Sequence, residues 1–105
     1  MPRYTLIVTA QPVVAREAEW HRWYDDVHLD EVLSVSGFQS AVRLHSIDPV
    51  AELGRWMALY GIEADDDQAA HDALERLKVA PLTTSPAMDF DTVTFALFRN
   101  GAHRP

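Results

Sequence analysis

Seven residues are of types that could do chemistry together. His28 stands after Trp23, Tyr24 and Asp25, and Arg43, Trp56 and Tyr60 follow further along the chain. A neutral imidazole exchanges a proton near pH 7, so His28 is the candidate acid–base group. Asp25, three residues earlier, could orient it or act as a base on an acidic carbon. The Tyr24 hydroxyl could polarise a carbonyl, and Trp23 could wall an apolar pocket. The same aromatics at helical spacing are also the mark of plain core. Asp26 reads as a solvated helix face.

Other chemistries lack their residues. There is no Cys, so thiolate metal sites, Fe–S clusters and a cysteine nucleophile are excluded. The five histidines show no HxH or HExxH spacing, and His21 and His28 are too far apart on a helix to share an ion. No nucleotide-binding glycine loop and no GxSxG occurs. The expectation is a protein without metal or cofactor. The net charge of −7, from 16 acidic and nine basic residues, disfavours nucleic acid and anionic membranes as partners. No apolar run is long enough for a membrane span or a signal-peptide core, which places the protein in the cytoplasm as an expectation.

These side chains need elements to position them. The 105 residues, 48% hydrophobic and 24% charged, suit a single domain over residues 1–105. Arg3–Ala10 reads as a strand. A helix from about Val14 to His28 presents Trp20, Trp23, Tyr24 and Val27 at i, i+3, i+4, i+7. Asp30 then caps a short turn, Glu31–Val35, that Gly37 ends. Phe38–His45 and Arg55–Glu63 read as strands, separated by a loop with an Asp48-Pro49 turn signal. Three aspartates lead a second helix to about Leu77, with Ala70, Ala73, Leu74 and Leu77 on one face. Ala80–Asp89, with two prolines, reads as a loop, Asp91–Arg99 as the last strand and Asn100–Pro105 as a frayed tail.

The order β-α-β-β-α-β predicts an α+β, ferredoxin-like domain with a four-stranded antiparallel sheet and both helices on one face. Neither face of the strands is polar, although a half-solvated antiparallel sheet should alternate. Two helices cover one face. A second copy of the sheet is the simplest cover for the other, which predicts a homodimer. Trp56 and Tyr60 share a strand face, so both belong to a pocket or both to the dimer interface. Arg43 and His45 share a face of the second strand, where an ion pair with one of the many acids is the bland role for Arg43. His21 and His71 read as surface residues.

The segment WYDDVHLDEVLSVSGF, Trp23 to Phe38, with Ala41, Val42 and Arg43 after it, resembles the signature of the dimeric α/β-barrel superfamily, in its EthD-like branch. The stretch TSPAMDFDTVTFALF has the same look. Asp30 and Ser36 stand where that branch has prolines. The resemblance implies a homodimeric barrel with an apolar pocket beside His28. It also implies an arginine, here Arg43, able to meet a carboxylate or enolate. Members include aromatic polyketide cyclases, cofactor-free monooxygenases, isomerases, and accessory proteins without a reaction of their own. The implied reading is cofactor-independent acid–base chemistry on an apolar aromatic or polyketide-like molecule by His28 and Asp25, with Trp23, Tyr24, Arg43, Trp56 and Tyr60 as binding residues. The alternative is a non-catalytic binding or accessory protein for a hydrophobic metabolite.

Overall fold

The computed structural model describes residues 3–48 and 55–104. Its strands are β1 (Arg3–Pro12), β2 (Phe38–His45), β3 (Trp56–Glu63) and β4 (Met88–Arg99). They form one antiparallel sheet in the order β2-β3-β1-β4. The helical elements are α1 (Glu17–Trp23), a π-helical turn (Tyr24–His28), α2 (Leu29–Leu33) and α3 (Asp67–Val79). The ferredoxin-like α+β architecture is the one the element order predicts. Pro49 lies outside the described residues, so the Asp48-Pro49 turn is not seen as a whole.

Alternation decides the two sheet faces. Leu6, Val8, Ala58, Tyr60 and Ile62 are buried on the helix side, around a fully buried Trp20. Trp20 donates its indole N–H to the Met88 sulfur at 3.3 Å, which pins α1 to the start of β4. On the opposite face Ile7 pairs with Leu59 and Ala96, and Leu59 with Val42. Val42, Leu44 and Phe98 stand 50%, 42% and 54% exposed. One face is therefore covered by helices, and the other is apolar and open.

Register shifts tune these faces. Between Phe38 and Ser40 the β2–β3 pairing slips by a residue. This bulge lets both Phe38 and the odd-numbered Ala41, Arg43 and His45 face the helices. Opposite it, Gly61 gives room to the Ser40 hydroxyl, which a Cβ there would force to another rotamer. Between Thr9 and Gln11 a second shift extends the β1–β4 pairing to Met88. Hence β4 begins three residues before the predicted strand, in a stretch whose prolines suggest loop. The predicted face of α3 is buried as expected, and Asp66 caps it by accepting from the Ala69 amide at 2.8 Å.

The first helical run departs most from the prediction. It starts at Glu17 and continues unbroken to Leu33, so Asp30 is interior and caps nothing. The Leu29 amide donates to the Tyr24 carbonyl, five residues back. The apparent change of phase after His28 is thus a π-turn inside one helix, not a break between two. Gly37, at φ +101°, makes the turn into β2. Its missing Cβ leaves room for α3, since the nearest atoms would be Ala73 Cβ and an Arg76 nitrogen, each at 3.4 Å.

Candidate functional site

The π-turn determines which side chains meet. In an α-helix, residues five apart point roughly 140° from each other. An i→i+5 turn is wider and returns the fifth residue to the same side. Here Trp23 and His28 stack, with ring centroids 4.6 Å apart and 24° between planes. Tyr24 meets His28 edge-on at 4.9 Å. His28 therefore takes the inward position predicted for Val27, which is 37% exposed. His28 also lies mid-helix, so no helix C-terminus favours its charged form.

These rings line a cavity of about 360 Å³ between the helical run, the sheet and the 80–87 segment. Trp23, Tyr24, His28 and Tyr60 border it, with Val8, Val32, Leu77 and Met88 among the apolar walls. Phe90 and Phe95, 57% and 43% exposed, stand at its rim. Among the described residues, three buried side-chain polar atoms have no hydrogen-bond partner: Trp23 Nε1, His28 Nδ1 and the Tyr60 hydroxyl. All three belong to residues of this one cavity. Buried polar groups are normally paired, and each orphan costs about 1–3 kcal/mol. An apolar space walled by three residues that each carry such a group suits a ligand that is apolar with a polar edge.

The electrostatics keep His28 neutral. Burial holds its imidazole down to about 4, Glu31 pulls it upward, and the Arg43 charge pushes it further down. Burial also raises both tyrosines, so Tyr24 and Tyr60 stay protonated as donors. The two hydroxyls are near enough to influence each other, yet the one on Tyr60 finds no partner of hydrogen-bond geometry.

Glu31 contributes a contact that sequence reasoning missed. Its carboxylate accepts from the Thr83 amide at 3.0 and 3.2 Å and from the Thr83 hydroxyl at 3.0 Å. That tie holds the 80–87 segment against α2, beside the cavity. The spacing His28–Glu31, i to i+3, was the available signal. Nothing in the sequence pointed to Leu82 or Phe90, which reach the cavity from a loop and a strand start.

The other predicted site residues assemble elsewhere. Asp25 is not paired with His28. Its carboxylate is half-exposed and accepts from Arg43 at 2.8 Å. Arg43 is bound to this acid, with a side chain only 10% exposed. Its guanidinium lies 4.9, 4.3 and 4.8 Å from the Trp20, Tyr24 and Trp56 rings. It also contacts His21 Nδ1 at 3.3 Å. His21 is accordingly half-buried rather than a surface residue, and burial, then Arg43, lowers its pKa. Trp56 stacks on His45 at 4.1 Å. Trp56 and Tyr60 do share the helix-facing side of β3, as alternation requires, but they split between this cluster and the cavity. Four strand residues span roughly 13 Å, more than one site can bridge. His71 is exposed, as expected.

The lowered His28 pKa sets a pH dependence. The unfolded chain takes up this proton near pH 6.5, and the folded protein only near pH 4. The unfolded state thus binds more protons between those values, and stability falls as pH drops through this window. The loss by pH 4 is about 3 kcal/mol at most, at 1.36 kcal/mol per pKa unit. Urea midpoints at pH 7 and pH 4.5 should differ clearly in the parent and less in His28→Phe. Equal slopes in the two proteins would remove His28 as the cause.

No family model matches the chain, and no curated protein matches it. Among solved structures, a "putative monooxygenase" from Shewanella loihica PV-4 has the same fold, with a TM-score of 0.62. The identity is 20%, over 98% of this chain and 99% of that one. The likeness is one of fold, spanning both chains almost end to end. Among the described residues no helix is long and apolar enough to cross a membrane, and no three His, Asp or Glu side chains are grouped to hold a metal ion.

Proposed function

We propose that this protein is a cofactor-independent enzyme of the dimeric α/β-barrel type, EthD-like branch, acting on an apolar, enolisable aromatic or polyketide-like compound. The observation that carries this reading is an apolar cavity walled by Trp23, His28 and Tyr60, each with a buried polar side-chain atom that lacks a hydrogen-bond partner. Neutral His28 accepts a proton from an acidic C–H or phenol of the bound compound. The Tyr60 hydroxyl and the Trp23 N–H donate to the oxygen on which negative charge develops. The negative charge that develops on the substrate as the proton moves stabilises the imidazolium that forms, which offsets the cost of charging a buried His28. The apolar walls exclude water and hold one pose, which is most of the catalysis for a cyclisation or isomerisation. The name of the fold neighbour favours the oxygenase variant, in which the substrate anion itself supplies electrons to dioxygen.

The same reading includes a homodimer. The open sheet face with Val42, Leu44 and Phe98 supports it, because a second copy would bury this apolar surface. We place the protein in the cytoplasm as one domain over residues 1–105, without a nucleic-acid or membrane partner.

The test is a panel of hydroxynaphthalenes, anthrones and aryl β-diketones, followed by absorbance and oxygen uptake in metal-free buffer. Product formation above the uncatalysed rate, lost in His28→Phe, is the expected result. Saturable binding without turnover would replace the enzyme by a carrier of the same compounds. Neither binding nor turnover across the panel would overturn the proposed ligand class.

A further inference from the structure

We propose that Arg43 is a positioning residue that holds the π-turn in register and so keeps His28 facing the cavity. This takes the His28 cavity as the functional site, but its test needs no turnover. A π-turn is an uncommon insertion in a helix and persists where its surroundings support it. Arg43 supplies that support from β2. Its guanidinium donates to Asp25 inside the turn at 2.8 Å and lies 4.3 Å from the ring of Tyr24, the first residue of the turn. It also meets His21 Nδ1, one turn earlier, at 3.3 Å. One planar group thereby grips the helix at three points, one just before the widened segment and two at its start. The Phe38–Ser40 bulge makes this reach possible, since it turns Arg43 to the helix side.

The grip has a consequence for the cavity. In uninterrupted α-helical phase, Val27 lies within the inward face of Trp20, Trp23 and Tyr24, and His28 only at its edge, beside Tyr24 and turned away from Trp23. With the π-turn in place, His28 stacks on Trp23 inside and Val27 is exposed. Arg43 lines no part of the 360 Å³ cavity, so its effect on His28 passes through the turn and through its charge.

The experiment follows two nuclei in the full-length protein: the His28 ring by NMR titration, and the Leu29 amide by hydrogen exchange. That amide closes the π-turn onto the Tyr24 carbonyl. The charged groups that act on the His28 titration are Glu31 on α2 and Arg43 on β2, and Tyr24, Tyr60 on β3 and Lys78 on α3 are the other titratable residues lining its cavity. Arg43→Met keeps the apolar stem and removes the grip. It should raise the His28 midpoint by at least one pH unit and cut Leu29 protection at least tenfold. Arg43→Lys, with the charge but not the planar fork, should fall between parent and Met. A raised His28 midpoint with unchanged Leu29 protection means that Arg43 acts by charge alone, which overturns positioning. Should Arg43→Met fail to fold, Asp25→Asn and Arg43→Lys carry the test. Full Leu29 protection in both would equally overturn the proposal. Failure of every compound in a substrate panel would leave these two readouts intact, so the two proposals fail separately.

Discussion

His28→Phe should abolish turnover, by a factor of 10² to 10⁴, while the melting temperature at pH 7 stays level or rises. The rate loss is what removal of a general acid–base group ordinarily costs. The stability result follows from the packing. His28 is held between the Trp23 and Tyr24 rings, and its Nδ1 is buried without a partner. A phenyl ring keeps the stacking and removes an unpaired polar atom, whose burial costs about 1–3 kcal/mol. His28→Ala is the less informative variant, because it also opens a cavity and loses stability for that reason. His28→Gln keeps a hydrogen-bonding group that cannot shuttle a proton at neutral pH. A structural histidine would behave in the opposite way. Its replacement by Phe would lower the melting temperature, and activity would persist in proportion to folded protein. Activity retained in a stable His28→Phe protein would end the acid–base assignment.

Leu59→Glu should convert a dimer into a folded monomer. Leu59 sits on β3, next to the middle of the sheet, between Ile7 and Val42 on the face away from the helices. In the monomer that position borders solvent, so a glutamate there leaves the core around Trp20 and Tyr60 untouched. In a two-fold dimer built on this face, each copy would bury one unpaired carboxylate, and the symmetry doubles the cost. Dissociation should strengthen at least a hundredfold. Light scattering at micromolar concentration should give about twice 11.8 kDa for the parent and the single mass for the variant. Lys78→Glu, an exchange of charge on exposed α3, is a control and should remain dimeric. A parent protein that is monomeric at these concentrations would sink the face-to-face arrangement. The burial of the apolar sheet face would then need another cover.

The fold was legible because its determinants are local and repetitive. The β-branched and aromatic residues concentrated in RYTLIVTA and DTVTFALF identify these segments as strands. Ala70, Ala73, Leu74 and Leu77 identify the buried face of α3 through spacing alone. With β-α-β-β-α-β order, few sheet arrangements remain. Arg43, by contrast, was legible as a site candidate or as one half of an ion pair, but not with its partner. Its choice of Asp25 depends on a bulge at Gln39, and bulges leave little trace in residue type.

His28, Tyr24 and Trp23 were selected as site candidates from sequence because of their types and proximity along the chain. What the tertiary structure alone decided was their geometry. A π-turn carried His28 from the edge of the helix face onto the Trp23 ring and left Val27 exposed, which α-helical periodicity does not specify. Asp25 went to Arg43 because the packing of β2 against the helix sets that distance, while Glu31, three residues after His28, is the acid whose charge acts on it. Trp56 and Tyr60 shared a face, as alternation demanded, and still parted between two clusters. Periodicity specifies which side of an element a residue occupies. Which partners wait on that side depends on the crossing of elements distant in sequence, and no local pattern encodes that.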